Sequence, residues 1–589
     1  MGLFQQAVKT YDVLRKTKDR NDSEPLAPIG HIIAQAKIEI SIDKEGSFLT
    51  ANLAEKKIVI PVTEASSGRT SAPAPHPFYE SISYLSGKDE KKFSLYTEQL
   101  QKWAESEYTD EQINAVLKYV QKKSIVNDLN EAGLLKSDEK GNIKNEKDLI
   151  YWNVVGLENN TNRSLQEKYE QYYLHQKADR DTTVCYITGE KTPAAQQHLK
   201  GVVSFNGNAK IISANDTSNF TYRGRFANSE QAVSVGYIAS QKAHNALKWL
   251  AANEGVTFGK RTFICWNPNG KIIPVSPFRR FRPQKENSQE EKYEREYYKK
   301  ELIALLEKCK KDLGDNEDVV IVSFEAATNG RLSVNYYNEL KASDYLERLE
   351  YWDETCCWYD NRWGTKSPDL YNIIKYAFGY QRGNDDNSKV EVDADIVGQH
   401  MQRLINCRVD KGRIPSDIKN NLVNKAERLL LYNKKNKDSL LFTACAVIRK
   451  YKIDYEKEEY QMALETEKKD RSYQYGRLLA VLEKIEKDTY DSEKDRTTNA
   501  MRMQSVFVKR PAYAARIITE QLKNAYYPKL TPAARTYYDK LIGQIMEIIS
   551  EFGDEEFNKP LTETYLLGYY LQQNALYKKN NKDEEREEN

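Results

Sequence analysis

Residues 184–249 read VCYITGEKTPAAQQHLKGVVSFNGNAKIISANDTSNFTYRGRFANSEQAVSVGYIASQKAHNALKW. Four short signatures follow one another in this stretch: Cys–x–x–Thr–Gly at 185–189, Lys–Gly–Val at 200–202, Ser–Phe–Asn at 204–206 and Tyr–Arg–Gly–Arg at 222–225. None of them has the form of a known catalytic motif. Short strand-like runs such as TVCYIT, GVVSF and RTFICW surround a helical pattern near 229–252. This mixture predicts an α+β fold for residues 151–275.

The flanking sequence extends the same prediction towards the N-terminus. An amphipathic stripe predicts a helix over residues 1–18. The alternating run IEISIDKEGSFLTANL predicts a β-hairpin that turns at residues 44–46, and KKIVIPV (56–62) predicts a third strand. A second hairpin is predicted over 318–340, with Asn329–Gly330 at its turn. The Pro-, Ser- and Gly-rich segment 63–81 is too rich in breakers to predict regular structure.

Beyond residue 342 the pattern becomes helical almost to the end of the chain. The fold class predicted is therefore α+β: a mixed N-terminal region with antiparallel hairpins, followed by a helical C-terminal bundle. The predicted domains are an N-terminal α+β domain over 1–345, a helical connecting region over 346–460 and a C-terminal bundle over 461–589. The acidic tail 578–589 is predicted to be disordered.

Composition limits the kinds of protein this chain can be. Of its 589 residues, 89 are basic and 87 acidic, so that the net charge is only +2. Any contact with nucleic acid must therefore depend on local basic patches. The seven Cys form no CxxC pair, which is typical of a reducing compartment. No apolar run approaches the roughly 18 residues that span a bilayer, and the N-terminus lacks a signal-peptide pattern, so the expectation is a soluble, cytoplasmic protein.

Two basic segments are candidate contacts to a nucleic-acid backbone. Residues 256–285 hold seven basic side chains and no acid, with Phe278 and Phe281 interleaved. Basic groups neutralise phosphates, and aromatic rings stack on unpaired bases. The other segment lies in the opening stretch, where the glycine of its Tyr–Arg–Gly–Arg loop lets backbone approach a phosphate. A solvated face and a sheet-closing turn are the alternative interpretations. The candidates are Lys200, Lys210, Arg223, Arg225, Lys260, Arg261, Lys271, Arg279, Arg280 and Arg282.

The order and spacing of these signatures resemble the large subunit of the type I-C CRISPR surveillance complex, Cascade. RTSAPAPHPFYESISYLSG (69–87) is similar to a loop of that family, although His76 and Ser81 stand where the family has asparagines. Leu567, Gly568, Tyr569, Tyr570, Gln572 and Leu576 match a pattern near the family's C-terminus. The resemblance implies that the loop faces the protospacer-adjacent motif (PAM) of duplex DNA. Its candidate contacts are Arg69, Thr70, Ser71, His76, Tyr79 and Ser81.

The resemblance also implies a role and a set of partners. The family's large subunit is a non-catalytic protein that senses the PAM, aids R-loop formation and recruits a helicase–nuclease. The expected partners are CRISPR RNA, target double-stranded DNA, the Cascade backbone and other subunits, and a small subunit. That small subunit is expected to arise by internal translation from about Met462, which gives a fragment of 128 residues by counting to Asn589. No membrane partner and no cofactor is expected.

Two other classes of function stay open. A stand-alone nucleic-acid enzyme, such as a metal-dependent nuclease, needs a ligand constellation that the six scattered His do not supply, and neither GxxxxGK[ST] nor HExxH occurs. The sequence therefore predicts no catalytic residue and no metal site. A structural scaffold that never touches DNA is the other alternative, in which the basic segments are only solvated.

Overall fold

The computed structural model describes residues 1–17, 22–69, 72–136, 138–139, 142–157, 161–213, 226, 233–279, 295–360, 364–383, 385–490 and 497–587. These residues form two units, and the chain passes between them three times. The first unit holds residues 1–272 and 318–339, and the second holds 273–317 and 340–589.

The first unit combines helices with two main sheets. Its described helices are α1 (Leu3–Lys16), α2 (Glu64–Gly68), α3 (Ile82–Leu85), α4 (Glu90–Ala104), α5 (Glu111–Gln121), α6 (Ile125–Glu131), α7 (Thr161–Ala178) and α8 (Tyr237–Asn253). Its described strands are β1 (His31–Ile42), β2 (Phe48–Pro61), β3 (Ile150–Val154), β4 (Thr182–Val184), β5 (Lys191–Pro193), β6 (Val256–Phe258), β7 (Arg261–Trp266), β8 (Asp318–Thr328) and β9 (Arg331–Lys341).

The N-terminal sheet has the order β2–β1–β3. β1 and β2 pair antiparallel from His31 opposite Pro61 to Ile42 opposite Phe48, and β3 adds parallel to β1. The segment KKIVIPV, which the sequence predicted as a third strand, is instead the second half of β2. A register shift between Ala36 and Ile38 lets one long strand bend and continue, so no turn is needed between the two apolar runs.

The second sheet, in the order β6–β7–β8–β9, confirms the predicted hairpin that turns at Asn329–Gly330. Two other expectations in this unit are wrong. GVVSF (201–205) forms turns, because Gly201 has a φ of +69° and its amide donates to the Ala209 carbonyl (2.8 Å), which folds the chain back. The segment 63–81 is not wholly irregular, since α2 forms with Thr63 as its N-cap.

The second unit is mainly helical. Its described helices are α9 (Arg295–Leu313), α10 (Ala342–Thr355), α11 (Leu370–Phe378), α12 (Ala394–Val409), α13 (Ser416–Ala426), α14 (Lys434–Tyr451), α15 (Arg471–Lys487), α16 (Asn499–Arg502), α17 (Gln504–Lys509), α18 (Pro511–Ala525), α19 (Pro532–Ser550) and α20 (Thr564–Glu587). Two small hairpins accompany them: β10 (Trp358–Asp360) with β11 (Gly364–Lys366), and β12 (Tyr380–Gln381) with β13 (Val390–Glu391). The backbone of α20 continues to Glu587, across most of the tail predicted to be disordered.

Helix α15 is the central helix of the C-terminal block. Apolar residues such as Leu478 and Leu482 recur along it at helical spacing, but burial is not limited to them, since every residue from Arg471 to Glu486 is buried. Its polar side chains are paired inside the bundle: the Arg477 guanidinium donates to Gln572 Oε1 (3.0 Å), and Glu483 accepts from the Tyr569 hydroxyl. Hydrogen bonds of this kind offset the free-energy cost of burying polar groups. The α+β fold class, with a mixed N-terminal part and C-terminal helices, is confirmed.

Candidate nucleic-acid interface

The loop predicted to face the PAM is built around one buried carboxylate, Glu80, whose side chain has no exposed surface. Arg69 Nη1 and Nη2 lie 2.5 and 3.0 Å from its two oxygens. The backbone amides of His76 (2.7 Å) and Ser81 (2.6 Å) also donate to it, as does the Ser81 hydroxyl (3.0 Å). Burial alone would raise the pKa of Glu80, but the Arg69 hydrogen bond and the neighbouring charges hold it below its ordinary value.

Tyr79 and His76, two other predicted contacts of this loop, also face inward. Tyr79 is buried and stacks on Tyr151, with ring centroids 5.4 Å apart. Burial lowers the pKa of His76 to about 4, so the ring is neutral at pH 7. In the described conformation Arg69, His76, Tyr79 and Ser81 therefore shape the loop from within. Thr70 and Ser71 lie outside the described residues.

Beside this loop lies a cleft of about 1460 Å³, within the first unit. It brings together two sets of predicted residues that are far apart in sequence, since Arg69 lines it together with Lys200 and Lys210. The remaining lining is mostly polar: Gly68, Asp179, Arg180, Asp181, Ala194, Ala195, Gln196, Gln197, His198, Asn208, Ile212, Ser213, Val233, Asn329 and Gly330. A polar cleft with several cations is suited to a charged ligand rather than to an apolar one.

Lys200 acts electrostatically on two other lysines, Lys210 of the cleft and Lys248 on α8. Burial, and then the charge of Lys200, lowers the pKa of Lys210. The same two causes lower the pKa of Lys248, on α8, to about 8. Within the described part of the chain, none of these three lysines has a carboxylate at ion-pairing distance. Repulsion between like charges is relieved when a polyanion binds.

A second buried carboxylate, Glu64 at the start of α2, holds the walls of the cleft together. It accepts from Lys177 Nζ (2.5 Å) and from the amides of Gln196 (2.8 Å) and Gln197 (3.2 Å). Arg180 Nη1 lies 3.6 Å from it. Sequence reasoning missed Glu64, because a lone acid after a threonine indicates only a helix N-cap.

The β8–β9 turn forms another part of the wall. The Lys210 amide donates to the Gly330 carbonyl (3.1 Å), and the Leu332 amide donates to the Lys210 carbonyl (3.0 Å). Asn206 Nδ2 donates to the Thr328 carbonyl (3.0 Å). The predicted turn at Asn329–Gly330 thus fixes the backbone of Lys210. The two segments are more than a hundred residues apart in sequence, so no local pattern reveals this contact.

The predicted basic strip 256–285 is divided between the two units. Lys260, Arg261 and Lys271 belong to the first unit, and Arg279 belongs to the second. Arg261 Nη2 donates to both carboxylate oxygens of Glu325, at 3.0 Å each, so the charge of Arg261 is balanced within the sheet. Lys260, Lys271 and Arg279 are exposed. Arg223, Arg225, Arg280 and Arg282 lie outside the described residues.

Two features of the second unit shape the start of this strip. Phe278 is buried, so the expected stacking on unpaired bases is wrong for that ring. The buried guanidinium of Arg408 donates to the Pro277 carbonyl (3.0 Å) and also to the Arg279 carbonyl, while pairing with Asp353 (2.7 Å). Arg408 therefore fixes the backbone on which the exposed Arg279 side chain stands.

The described residues contain no group of three or more His, Cys, Asp or Glu side chains placed to hold a metal ion. Over the same part of the chain, no helix has the length and apolar character that crossing a membrane requires. All seven cysteines are buried and unbridged.

Comparison with known proteins identifies the class of this molecule. Residues 8–577 match a family model described as CRISPR-associated protein (Cas_Csd1). Since the match covers nearly the whole chain, the protein belongs to the Cas_Csd1 family of CRISPR-associated proteins, and it is a Cascade-type subunit. Membership implies a complex with other CRISPR-associated subunits and a guide RNA. No curated protein matches the chain.

Proposed function

We propose that this chain is the non-catalytic large subunit of a type I-C Cascade complex, and that it senses the PAM in target double-stranded DNA. The observation that carries the proposal is the meeting of Arg69, Lys200 and Lys210 in one cleft of a Cas_Csd1 protein. The complex works in the cytoplasm, aids R-loop formation and recruits the helicase–nuclease after DNA binding.

The loop and the lysines of the cleft have different roles in this proposal. Glu80 holds Arg69 and residues 72–81 in one conformation, so this part of the loop can probe the groove of a duplex with little loss of conformational entropy on binding. Lys200 and Lys210 contact the phosphates beside it. Guide pairing replaces DNA pairing at nearly equal free energy, and backbone contacts of this kind tip the exchange towards the open duplex. Lys260, Arg261, Lys271 and Arg279, together with Arg223, Arg225, Arg280 and Arg282, remain predicted contacts to the strands.

Charge reversal in the assembled complex tests this proposal. The double variant Lys200→Glu/Lys210→Glu is expected to bind a PAM-bearing duplex roughly tenfold more weakly, because two phosphate contacts are lost. The slope of log K against log salt concentration should fall by about 2. The matched control is Lys144→Glu/Lys147→Glu, which makes the same charge change at two exposed lysines of the same unit. Unchanged affinity and an unchanged slope for the cleft variant would support the structural-scaffold alternative.

The other alternative, a metal-dependent nuclease, predicts cleavage by the purified chain. Incubation of the complex with labelled duplex and single-stranded DNA in the presence of Mg²⁺ or Mn²⁺ is expected to leave both substrates intact. Products that disappear with EDTA, and that depend on this chain, would refute the non-catalytic role.

The C-terminal block is also proposed to be made as a separate small subunit that starts at about Met462. Met462 precedes α15, so such a fragment keeps α15 to α20 and loses α14, which packs against α20 in the full chain. Mass spectrometry of the co-expressed complex should show the free fragment, and its persistence after Met462→Ala would exclude this start.

A further inference from the structure

Helix α14 ends in an unusual backbone segment in the second unit. Its last turn is followed by a π-helical turn, Lys452–Glu456, and then by Lys457 with a φ of +58°. Lys411, which follows α12, also has a left-handed backbone, with a φ of +54°. π-helical turns and left-handed non-glycine residues are unfavourable unless their surroundings fix them, and both are frequent at functional sites.

These two strained segments lie against each other, because Asp454 joins them. The Asp454 carboxylate, which is 4% exposed, accepts from Lys450 Nζ (2.6 Å) and from the backbone amide of Ile414 (3.0 Å). The π-helical turn and the 411–414 loop are thus held in a fixed relation. A rigid frame of this kind positions the side chains that it carries.

The side chains that this frame carries are aromatic rings and cations. Tyr451 and Tyr455 stack with centroids 4.4 Å apart and planes 23° apart. Arg413 Cζ lies 5.2 Å from the Tyr455 centroid, and Lys419 Nζ lies 4.6 Å from the Tyr451 centroid. Each ring of the stacked pair therefore carries a cation. Tyr455 is 41% exposed, and Arg413 is exposed as well.

Two of the cations near these rings form salt bridges with carboxylates, and two others remain to bind a ligand. Lys411 is paired with Glu347 at 2.6 Å, and Lys419 with Glu563 at 3.3 Å. Arg413, by contrast, has no carboxylate partner among the described residues, and Lys457 has only a hydrogen bond to the Asp454 carbonyl (3.3 Å). The exposed end of the cluster thus combines an aromatic ring, a planar guanidinium and an unneutralised ammonium.

We propose that Tyr455 and Arg413 form a stacking platform for one base of an unpaired nucleic-acid strand, with Lys457 beside the strand's phosphates. Tyrosine rings and guanidinium planes stack on any base, whereas a base within a duplex is covered by its neighbours and cannot reach them. The platform belongs to the second unit, and the cleft of the first unit contributes no residue to it. The proposal does not rest on PAM sensing.

Photocrosslinking of the full chain tests the platform. The probe is a single-stranded oligodeoxythymidylate that carries 5-iododeoxyuridine, and crosslinked peptides are mapped by mass spectrometry. The expected crosslink lies in the segment that contains Tyr451 and Tyr455. The same oligonucleotide annealed to its complementary strand should not form this crosslink. Tyr455→Phe should keep the crosslink. Tyr455→Leu should lose it and lower affinity roughly five- to tenfold, since one stacked base is lost.

The control variant is Tyr513→Leu, which removes a tyrosine of similar exposure (44%) elsewhere in the second unit. It is expected to crosslink like the natural chain. Arg413→Gln leaves both rings intact and should weaken the crosslink. It tests the platform even where Tyr455→Leu fails to fold. Crosslinks that map only to other peptides, or a folded Tyr455→Leu chain with unchanged affinity, would overturn the proposal. Lys200→Glu/Lys210→Glu should leave this crosslink in place, so failure here is distinguishable from failure of the proposed PAM-side role.

Discussion

At the scale of single residues, two buried carboxylates organise the candidate interface. Glu80 fixes residues 72–81 through Arg69 and two backbone amides, and Glu64 fixes the start of α2 through Lys177 and two more amides. A carboxylate that accepts several hydrogen bonds at a buried site defines one geometry, because each alternative leaves a buried charge unsatisfied.

Replacement of Glu80 tests this role directly. Glu80→Gln leaves Arg69 without its counter-charge, and it is expected to lower the free energy of unfolding by about 3 kcal/mol, as for other broken buried pairs. Because the folded pKa of Glu80 lies below its unfolded value, the stability it contributes is complete above the unfolded pKa and is lost as pH falls through the folded one. Urea denaturation at pH 7 measures the change, with Glu98→Gln, at an exposed carboxylate of α4, as the control. Equal stability of the two variants would contradict the role given to Glu80.

The sequence predicted which residues lie at this interface, but it did not predict the direction in which their side chains point. It identified Arg69, Lys200 and Lys210, which the fold brings to one cleft, and it identified the Asn329–Gly330 turn beside them. It did not indicate that His76 and Tyr79 face inward, because the direction of a side chain in an irregular loop depends on the hydrogen bonds that the loop makes. Nothing in the local pattern distinguishes Glu80 from an exposed acid.

At the scale of elements, the crossing of α15 and α20 explains two glycines, Gly476 of α15 and Gly568 of the C-terminal motif that resembles the family. A Cβ on Gly476 would lie 1.9 Å from the Tyr565 carbonyl oxygen, and a Cβ on Gly568 would lie 2.0 Å from the Tyr473 carbonyl oxygen. Each glycine thus faces the backbone of the other helix. The two helices approach so closely that neither position has room for a methyl group.

Alanine at either crossing position is therefore expected to destabilise the second unit. A glycine-to-alanine change in a helix ordinarily stabilises it by about 1 kcal/mol, but overpacking against backbone costs more than that here, so we expect a net loss of about 2 kcal/mol for Gly476→Ala or Gly568→Ala. Gly543→Ala in α19 is the matched control, since nothing lies within 4 Å of its added Cβ, and it should raise stability slightly. Thermal unfolding separates these outcomes, and a gain at all three positions would contradict the close crossing.

Helix α15 also shows why element patterns mislead at the centre of a bundle. Its mixture of leucines with Arg477, Glu483 and Glu486 is typical of an amphipathic surface helix. In the fold its polar face is buried as well, because partners from distant segments satisfy it: Gln572 for Arg477, Tyr569 for Glu483 and the Asn499 amide for Glu486. Those partners are 13 to 95 residues away in sequence, which is beyond the reach of any periodicity.

At the scale of the whole molecule, the division into units follows long-range strand pairing. The predicted N-terminal domain ended at residue 345, near the last crossing at 339–340, and the predicted regions 346–460 and 461–589 fall in one unit. Residues 273–317 also belong to that unit, because β8 leaves it to pair with β7 in the first. Strands β7 and β8 pair although about fifty residues separate them in sequence, and composition does not reveal such a pairing.

The histidines give the two units different sensitivities to acid. Burial lowers the pKa of His31, His76 and His198 to about 4 each, and that of His244 to about 3. All four lie in the first unit, whereas the second unit contains only His400. Between about pH 6.5 and pH 4 the unfolded chain binds protons at these sites and the folded chain does not, so stability falls as pH falls. Each site accounts for roughly 3 kcal/mol at pH 4.

The first unit is therefore expected to open before the second as pH falls from 7 to 5. Hydrogen–deuterium exchange measured by mass spectrometry, corrected for intrinsic exchange rates, should show protection falling in peptides of 1–272 while peptides of 340–587 stay protected. His76→Gln should lessen the fall, because one proton-binding site is removed from the unfolded state, and His400→Gln should leave the first unit's pH dependence unchanged. Equal loss of protection in both units would contradict the different acid sensitivities, and no loss in the first unit would mean that these rings titrate with their ordinary pKa values.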